Sequence, residues 1–191
     1  ALCPYIGRLW LAVLRAVRAG RTVPCVLPGA SEASECVVGL AILGALVILT
    51  AEQFGEELLG LTEQQTTITA LVGLYTLGAA IVEEVIFRGY LVIEKHGATA
   101  LWGSVLVMSV LFAALHPFLW SWENGHLVWS LTSKGWFSTG VVFVTSLWLY
   151  AMRFCPLNPH RSLAPCIAAH LAGNLGVIAI KCAQGFVHGW F

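Results

Sequence analysis

Glu83 and Glu84 stand side by side, with Arg88 four residues on, inside an apolar run from Ile68 to Ile93. Ionised side chains in a bilayer each cost roughly 2.5–3.5 kcal/mol on insertion scales. The chain carries ten carboxylates, all glutamate, so an adjacent pair in its least polar stretch points to a use. Further polar groups occur in apolar surroundings. His116 closes Phe112-Ala-Ala-Leu-His116, and His170 and Asn174 frame His170-Leu-Ala-Gly-Asn174. At i and i+4, His170 and Asn174 share a helix face, as do Glu84 and Arg88. Glu83 lies about 100° around the helix from Glu84.

These residue types are the parts of a hydrolytic site. Glu83 can act as general base toward a water, with His116 helping to hold it. Glu84, tied to Arg88, is expected to stay ionised and to leave Glu83 free to exchange protons. The Asn174 amide and a His170 ring N–H can donate to a developing oxyanion. No Ser or Cys belongs to the arrangement, which favours attack by water over a covalent intermediate. Two histidines and a carboxylate can also bind zinc. HExxH is absent, however, and the two histidines fall on different helices, one beside an asparagine. The expectation is therefore no cofactor, with zinc as the rival.

Other readings use the same residues. A Glu–Arg pair is how a bundle tolerates charge, and an intramembrane His or Asn can serve as interhelical glue. Phe112 reads as core packing. His96, His126, His160 and His188 fall in loops or near the terminus and read as solvated. Intramembrane Glu, His and Asn also build proton relays in transporters, but no Gly/Pro-broken helices occur in paired halves. Polar groups on three different helices exceed what gluing a bundle together requires, which favours an enzyme.

The elements that position these residues are membrane helices. Of 191 residues, 58% are hydrophobic and 10% charged, against about 25% charged in soluble domains. Net charge is zero, so no electrostatic case for nucleic acid arises. Continuous rather than alternating apolar runs select helices over a barrel. The fold class expected is all-α, a polytopic bundle of about five transmembrane helices plus an N-terminal amphipathic helix. That helix covers residues 4–19, with Arg8, Arg15 and Arg18 near one face, as a segment lying on the membrane surface would have. Residues 1–30 form this basic segment and 31–191 the membrane bundle. The spans are expected at Cys36–Ala51, Thr67–Ile93, Ala98–Leu115, Trp136–Phe154 and Leu163–Cys182, the last with Ser162 as N-cap and Pro165 in the first turn.

Seven basic residues gather at alternate span ends (Arg8, Arg15, Arg18, Arg21, Lys95, Arg153, Arg161), against Lys134 and Lys181 at the others. This puts the N-terminus in the cytoplasm. Glu52, Glu56, Glu57 and Glu63 are then outside, with a tryptophan-rich loop 118–135 suited to an interfacial belt. The six cysteines show neither a disulfide framework nor a zinc spacing and read as buried thiols. The sequence has no initiator methionine and no recognisable signal peptide, and upstream residues are expected to be missing.

The sequences EEVIFRG, FAALH and HLAGN, in this order, resemble the motifs EExxxR, FxxxH and HxxxN of the CPBP (Abi) intramembrane proteases, which include the CAAX-type prenyl endopeptidases. The similarity covers about Ala79 to Val177, including Phe137–Gly140, Thr145–Trp148 and Ser162–Pro165. The resemblance implies a glutamate-dependent protease of a prokaryotic plasma membrane, acting on a membrane-anchored protein or peptide. Glu83 and His116 would activate water, Glu84 and Arg88 would support them, and His170 and Asn174 would bind the oxyanion. As the runner-up, it admits a non-catalytic member that binds a membrane peptide or confers immunity. Pro117 and the tryptophan-rich 118–135 segment depart from the pattern and imply an unusual rim. A turn near Lys95–Gly97 would set Glu83 about 18 Å along its helix and His116 about 28 Å along the next, a mismatch that the helices must absorb.

Overall fold

The computed structural model describes residues 2–21 and 27–191, with the side chains of residues 2–4 left out. The elements in order are α1 (Leu2–Arg18), α2 (Glu35–Leu58), α3 (Ala70–Glu83), α4 (Gly97–Leu115), β1 (Trp120–Glu123), β2 (His126–Trp129), α5 (Ser133–Phe154) and α6 (Ala164–Ala183). A π-helical segment, Glu84–Tyr90, continues α3. Among the described residues, five helices are long and apolar enough to cross a membrane: α2, α3 with its π-helical extension, α4, α5 and α6. The chain is an integral membrane protein with an all-α polytopic core.

The bundle is apolar outward and small or polar inward. Leu43, Val47, Leu74, Tyr75, Leu106 and Val110 are exposed, as lipid-facing residues must be, while Ala41, Ala45, Ser109 and Ser146 are buried. Without a hydrophobic drive between helices in lipid, small residues let backbones approach and hydroxyls bond across. Gly176 of α6 illustrates the approach: a Cβ there would collide with Leu49 Cδ2 of α2.

Helix starts follow capping chemistry. Ser34, Thr69 and Thr132 each accept a bond from the backbone N–H three residues on. At α6 the cap position is Leu163, one residue past the Ser162 expected. Ser162 still serves the first turn, because its Oγ accepts from Ala164 N at 3.2 Å. Pro165 lies in that turn as expected. The first span ends at Leu58 rather than Ala51. Its glutamates do not stop it because Glu56 turns inward, where Lys134 and Gln65 bond it.

The loop 118–135 contains an antiparallel hairpin, β1–β2, pairing Trp120 with Trp129 and Glu123 with His126. Its turn is Asn124-Gly125, with φ of 50° and 82°, the residue pair that a tight two-residue hairpin turn needs. Trp122, Trp129 and Trp136 are exposed, consistent with an interfacial belt.

The mismatch between Glu83 and His116 is absorbed at the start of α4. Ile93 N donates to Ser104 Oγ at 3.1 Å. Residue 93 is therefore level with residue 104, and the first turns of α4 overhang the preceding span. Phe87 and Phe112 then meet, ring centroids 5.0 Å apart.

Helix α1 docks on the bundle. Trp10, Val13 and Leu14 pack with Val85, Leu163 and Ile167, and Arg8, Arg15 and Arg18 are exposed. Of the cysteines read as buried, Cys166 is buried and Cys155 half-buried, but Cys36 and Cys182 are exposed near helix ends, where a thiol tolerates lipid or water alike. Cys25 and the Cys3 side chain lie outside the described residues. His96, His126, His160 and His188 are all exposed, as expected.

Candidate active site

Three consecutive motifs converge on His170. Its Nδ1 lies 2.8 Å from Glu84 Oε1, and its Nε2 lies 3.8 Å from Glu83 Oε2. The ring therefore sits between the two adjacent glutamates, which diverge around their helix yet reach opposite nitrogens of one imidazole. Because a carboxylate accepts, Nδ1 carries the proton. Glu84 and Arg88 are fully buried and meet at 3.2 Å. This is an ion contact without hydrogen-bond alignment, since Arg88 Nη1 has no hydrogen-bond partner among the described residues.

Arg88 finds its aligned bond elsewhere. Its Nη2 donates to Ser146 Oγ at 2.8 Å, and Ser146 donates to Ser109 Oγ at 3.0 Å. The guanidinium lies 4.3 Å from the Phe112 ring centroid and 5.0 Å from that of Tyr150. In the π-helical segment Leu91 N bonds Ile86 O, and the Phe87 carbonyl instead accepts from Tyr150 Oη at 2.8 Å. Such wide turns recur at functional sites. Ser109, Ser146 and Tyr150 were not singled out from sequence. A serine within an apolar helix was the available signal, and Ser146 lies in the resembling Thr145–Trp148 segment.

Phe112 is more than filler. It contacts His116 at 4.7 Å and His170 at 6.1 Å between centroids, and it bears Arg88 on its ring. His116 sits at the C-cap of α4, where its Nδ1 is 2.8 Å from the Phe112 carbonyl. A carbonyl can only accept, so Nδ1 is the donor and Nε2 is the nitrogen left for other partners. Pro117, which departs from the motif pattern, directly follows this cap.

Asn174 Nδ2 donates to Thr76 O of α3 at 3.1 Å, which ties α6 to α3 and engages one of the two amide hydrogens. A cavity of about 760 Å³ opens beside these groups. His116, His170 and Asn174 line it, together with the hairpin residues Trp120 and Trp129 and with Glu52 and Lys181. Glu83 does not line this cavity; it reaches the site through the Nε2 side of His170 and is one-third exposed. Among the described residues, no three His, Cys, Asp or Glu side chains are placed to hold a metal ion.

The family model for type II CAAX prenyl endopeptidase Rce1-like proteins matches residues 65–176. The chain belongs to this Rce1-like family. The match spans more than half of the chain, begins upstream of the resemblance read at Ala79, and includes Glu83, Glu84, Arg88, His116, His170 and Asn174. No curated protein and no solved structure matches the chain. At the level of the family, the Rce1-like chain is a CAAX-type intramembrane endopeptidase, with a lipid environment and a membrane-associated substrate.

Proposed function

We propose that the chain hydrolyses a peptide bond of a membrane-anchored protein or peptide with water activated by Glu83, without a resident metal. The observation that carries this reading is the placement of His170 between Glu83 and Glu84, at the wall of a cavity that His116 also lines. Glu83 takes a proton from water as its oxygen attacks the scissile carbonyl carbon. The carbonyl oxygen becomes an oxyanion, toward which the second amide hydrogen of Asn174 is available. As the C–N bond breaks, the proton passes to the leaving amine, leaving a carboxylate and an amine. His116, with Nδ1 committed to the Phe112 carbonyl, offers Nε2 to hold the water or relay the proton. Glu84 and Arg88 orient His170, as a carboxylate orients an imidazole in many sites. The same reading puts the protein in a prokaryotic plasma membrane with its N-terminus in the cytoplasm.

A peptide-binding member that does not hydrolyse is the second reading, and the position of Glu83 outside the lining of the large cavity favours it. One experiment separates the two. Glu83→Gln keeps shape and removes the proton acceptor, so it should insert and fold normally and lose roughly 10²–10⁴-fold in cleavage. Undiminished turnover would overturn the glutamate mechanism. A wild type that binds a peptide tightly but cleaves none would favour the binding reading. Each preparation is assayed with and without a chelator. Loss of wild-type turnover on chelation, restored by zinc, would move Glu83 and the histidines into metal-ligand roles.

A further inference from the structure

At the end of the bundle away from the hairpin, the chain builds a second polar site. A cleft of about 720 Å³ lies between the turn after the π-helical segment and the loop from α5 to α6. Arg153, Arg161, Lys95, His96 and His160 line it, with Glu94 as the one carboxylate among them. Three fixed cations thus face a single anion. Glu94 is shared, its Oε1 accepting from Arg153 Nη2 at 2.7 Å and its Oε2 from Arg161 Nη1 at 2.8 Å.

Arg153 is the decisive residue. Its side chain is 3% exposed, yet among the described residues Nε and Nη1 have no hydrogen-bond partner. Buried donors are ordinarily bonded, and a bound ion or water is one explanation of a donor that is not. The loop that frames the cleft is fixed in advance. Buried Asn158 donates from Nδ2 to the carbonyls of Met152, Arg153 and Ser162, and its Oδ1 accepts from Ser162 N. Ser31 Oγ donates to the His160 carbonyl at 3.0 Å. Arg161 is held at φ 49°, a conformation that non-glycine residues keep only where their surroundings impose it.

We propose that this cleft binds a phosphate group, that of an anionic phospholipid headgroup at the bundle end. Arginine forks match phosphate oxygens and tolerate desolvation better than an ammonium does. The site lies at the ends of membrane spans, where headgroups sit. Exposed apolar Ile93 lines the cleft, and Leu91 and Leu157 beside it are also exposed, so acyl chains meet apolar surface while the phosphate meets arginine. A soluble phosphate compound offers the same headgroup chemistry without those chains.

The test uses the full chain in neutral detergent micelles, followed by thermal unfolding through its eight tryptophans. Phosphatidylglycerol, phosphatidylcholine and inorganic phosphate are titrated separately. Phosphatidylglycerol should raise the unfolding temperature saturably, and phosphatidylcholine should not. The Lys95 ammonium makes no hydrogen bond or ion pair among the described residues, so Lys95→Gln should weaken phosphatidylglycerol roughly five-fold, and Lys95→Gln with Arg161→Gln roughly 30-fold. Arg8→Gln with Arg15→Gln removes the same charge from exposed positions of α1, outside the cleft, and should leave the affinity within about two-fold. Equal loss in that control, or equal stabilisation by phosphatidylcholine, would overturn the site. Stabilisation by inorganic phosphate that competes with phosphatidylglycerol would keep the phosphate site and overturn the lipid as its source.

Discussion

Arg88 is the residue on which the candidate site depends structurally. It is fully buried, bonded to Ser146, in ion contact with Glu84 and laid across Phe112. Arg88→Ala leaves the Glu84 carboxylate buried with His170 as its remaining partner. Breaking a buried pair costs roughly 3–5 kcal/mol, so the variant should give markedly less folded protein from detergent extracts and unfold at lower temperature. Wild-type yield and unfolding temperature would refute this. The pair was legible in the sequence because i and i+4 spacing is a local rule. The contacts of Glu84 with His170, 86 residues apart, and of Arg88 with Ser146, 58 apart, were not, because only tertiary packing sets them. Phe112 shows the same limit. Its apolar character predicted burial, but nothing local indicated that Arg88, His116 and His170 would all rest on its ring.

At the scale of elements, apolar run length fixed the existence of the five spans, and capping side chains fixed several of their starts. What sequence reasoning missed were features that break the regular period. The π-helical segment has no marker in EEVIFRG that separates it from an α-helix; Tyr150 from α5 captures the carbonyl that the wider turn releases. The hairpin did carry a marker, Asn124-Gly125 between apolar-rich stretches, which the tryptophan content overshadowed. Because Trp120 and Trp129 border the large cavity, the hairpin forms its roof. Gly125→Val would force a β-branched residue to φ 82°, at a cost of roughly 1–2 kcal/mol against the closed turn. If the roof holds substrate, KM for a peptide substrate should rise roughly 5- to 30-fold, with kcat changed less and the unfolding temperature little altered. An unchanged KM in steady-state kinetics would remove the hairpin from substrate binding.

The whole molecule has two chemically distinct ends. Residues 91–96, 155–163 and the start of α2 gather at one, where Glu94 meets Arg153 and Arg161 and Ser31 meets the His160 backbone. The hairpin, the Glu56–Lys134 pair and the bridge between Ile68 and Val187 gather at the other. The first end is the basic one, and the proposed orientation, which follows the rule that cytoplasmic loops collect Lys and Arg, puts it in the cytoplasm. The large cavity then reaches toward the opposite face, and the phosphate cleft faces the leaflet where anionic lipids are concentrated. Two native thiols can test this arrangement. Cys36 begins α2 at the basic end, Cys182 closes α6 at the other, and both are exposed. In variants that keep one of them and carry serine at the other five positions, a membrane-impermeant maleimide added to intact cells should label Cys182. Cys36 should react only after the membrane is opened. The reverse pattern would invert the protein, turning the phosphate cleft outward and the hairpin roof toward the cytoplasm. The internal geometry of Glu83, His116 and His170 would be unchanged, but the substrate would have to approach from the opposite compartment.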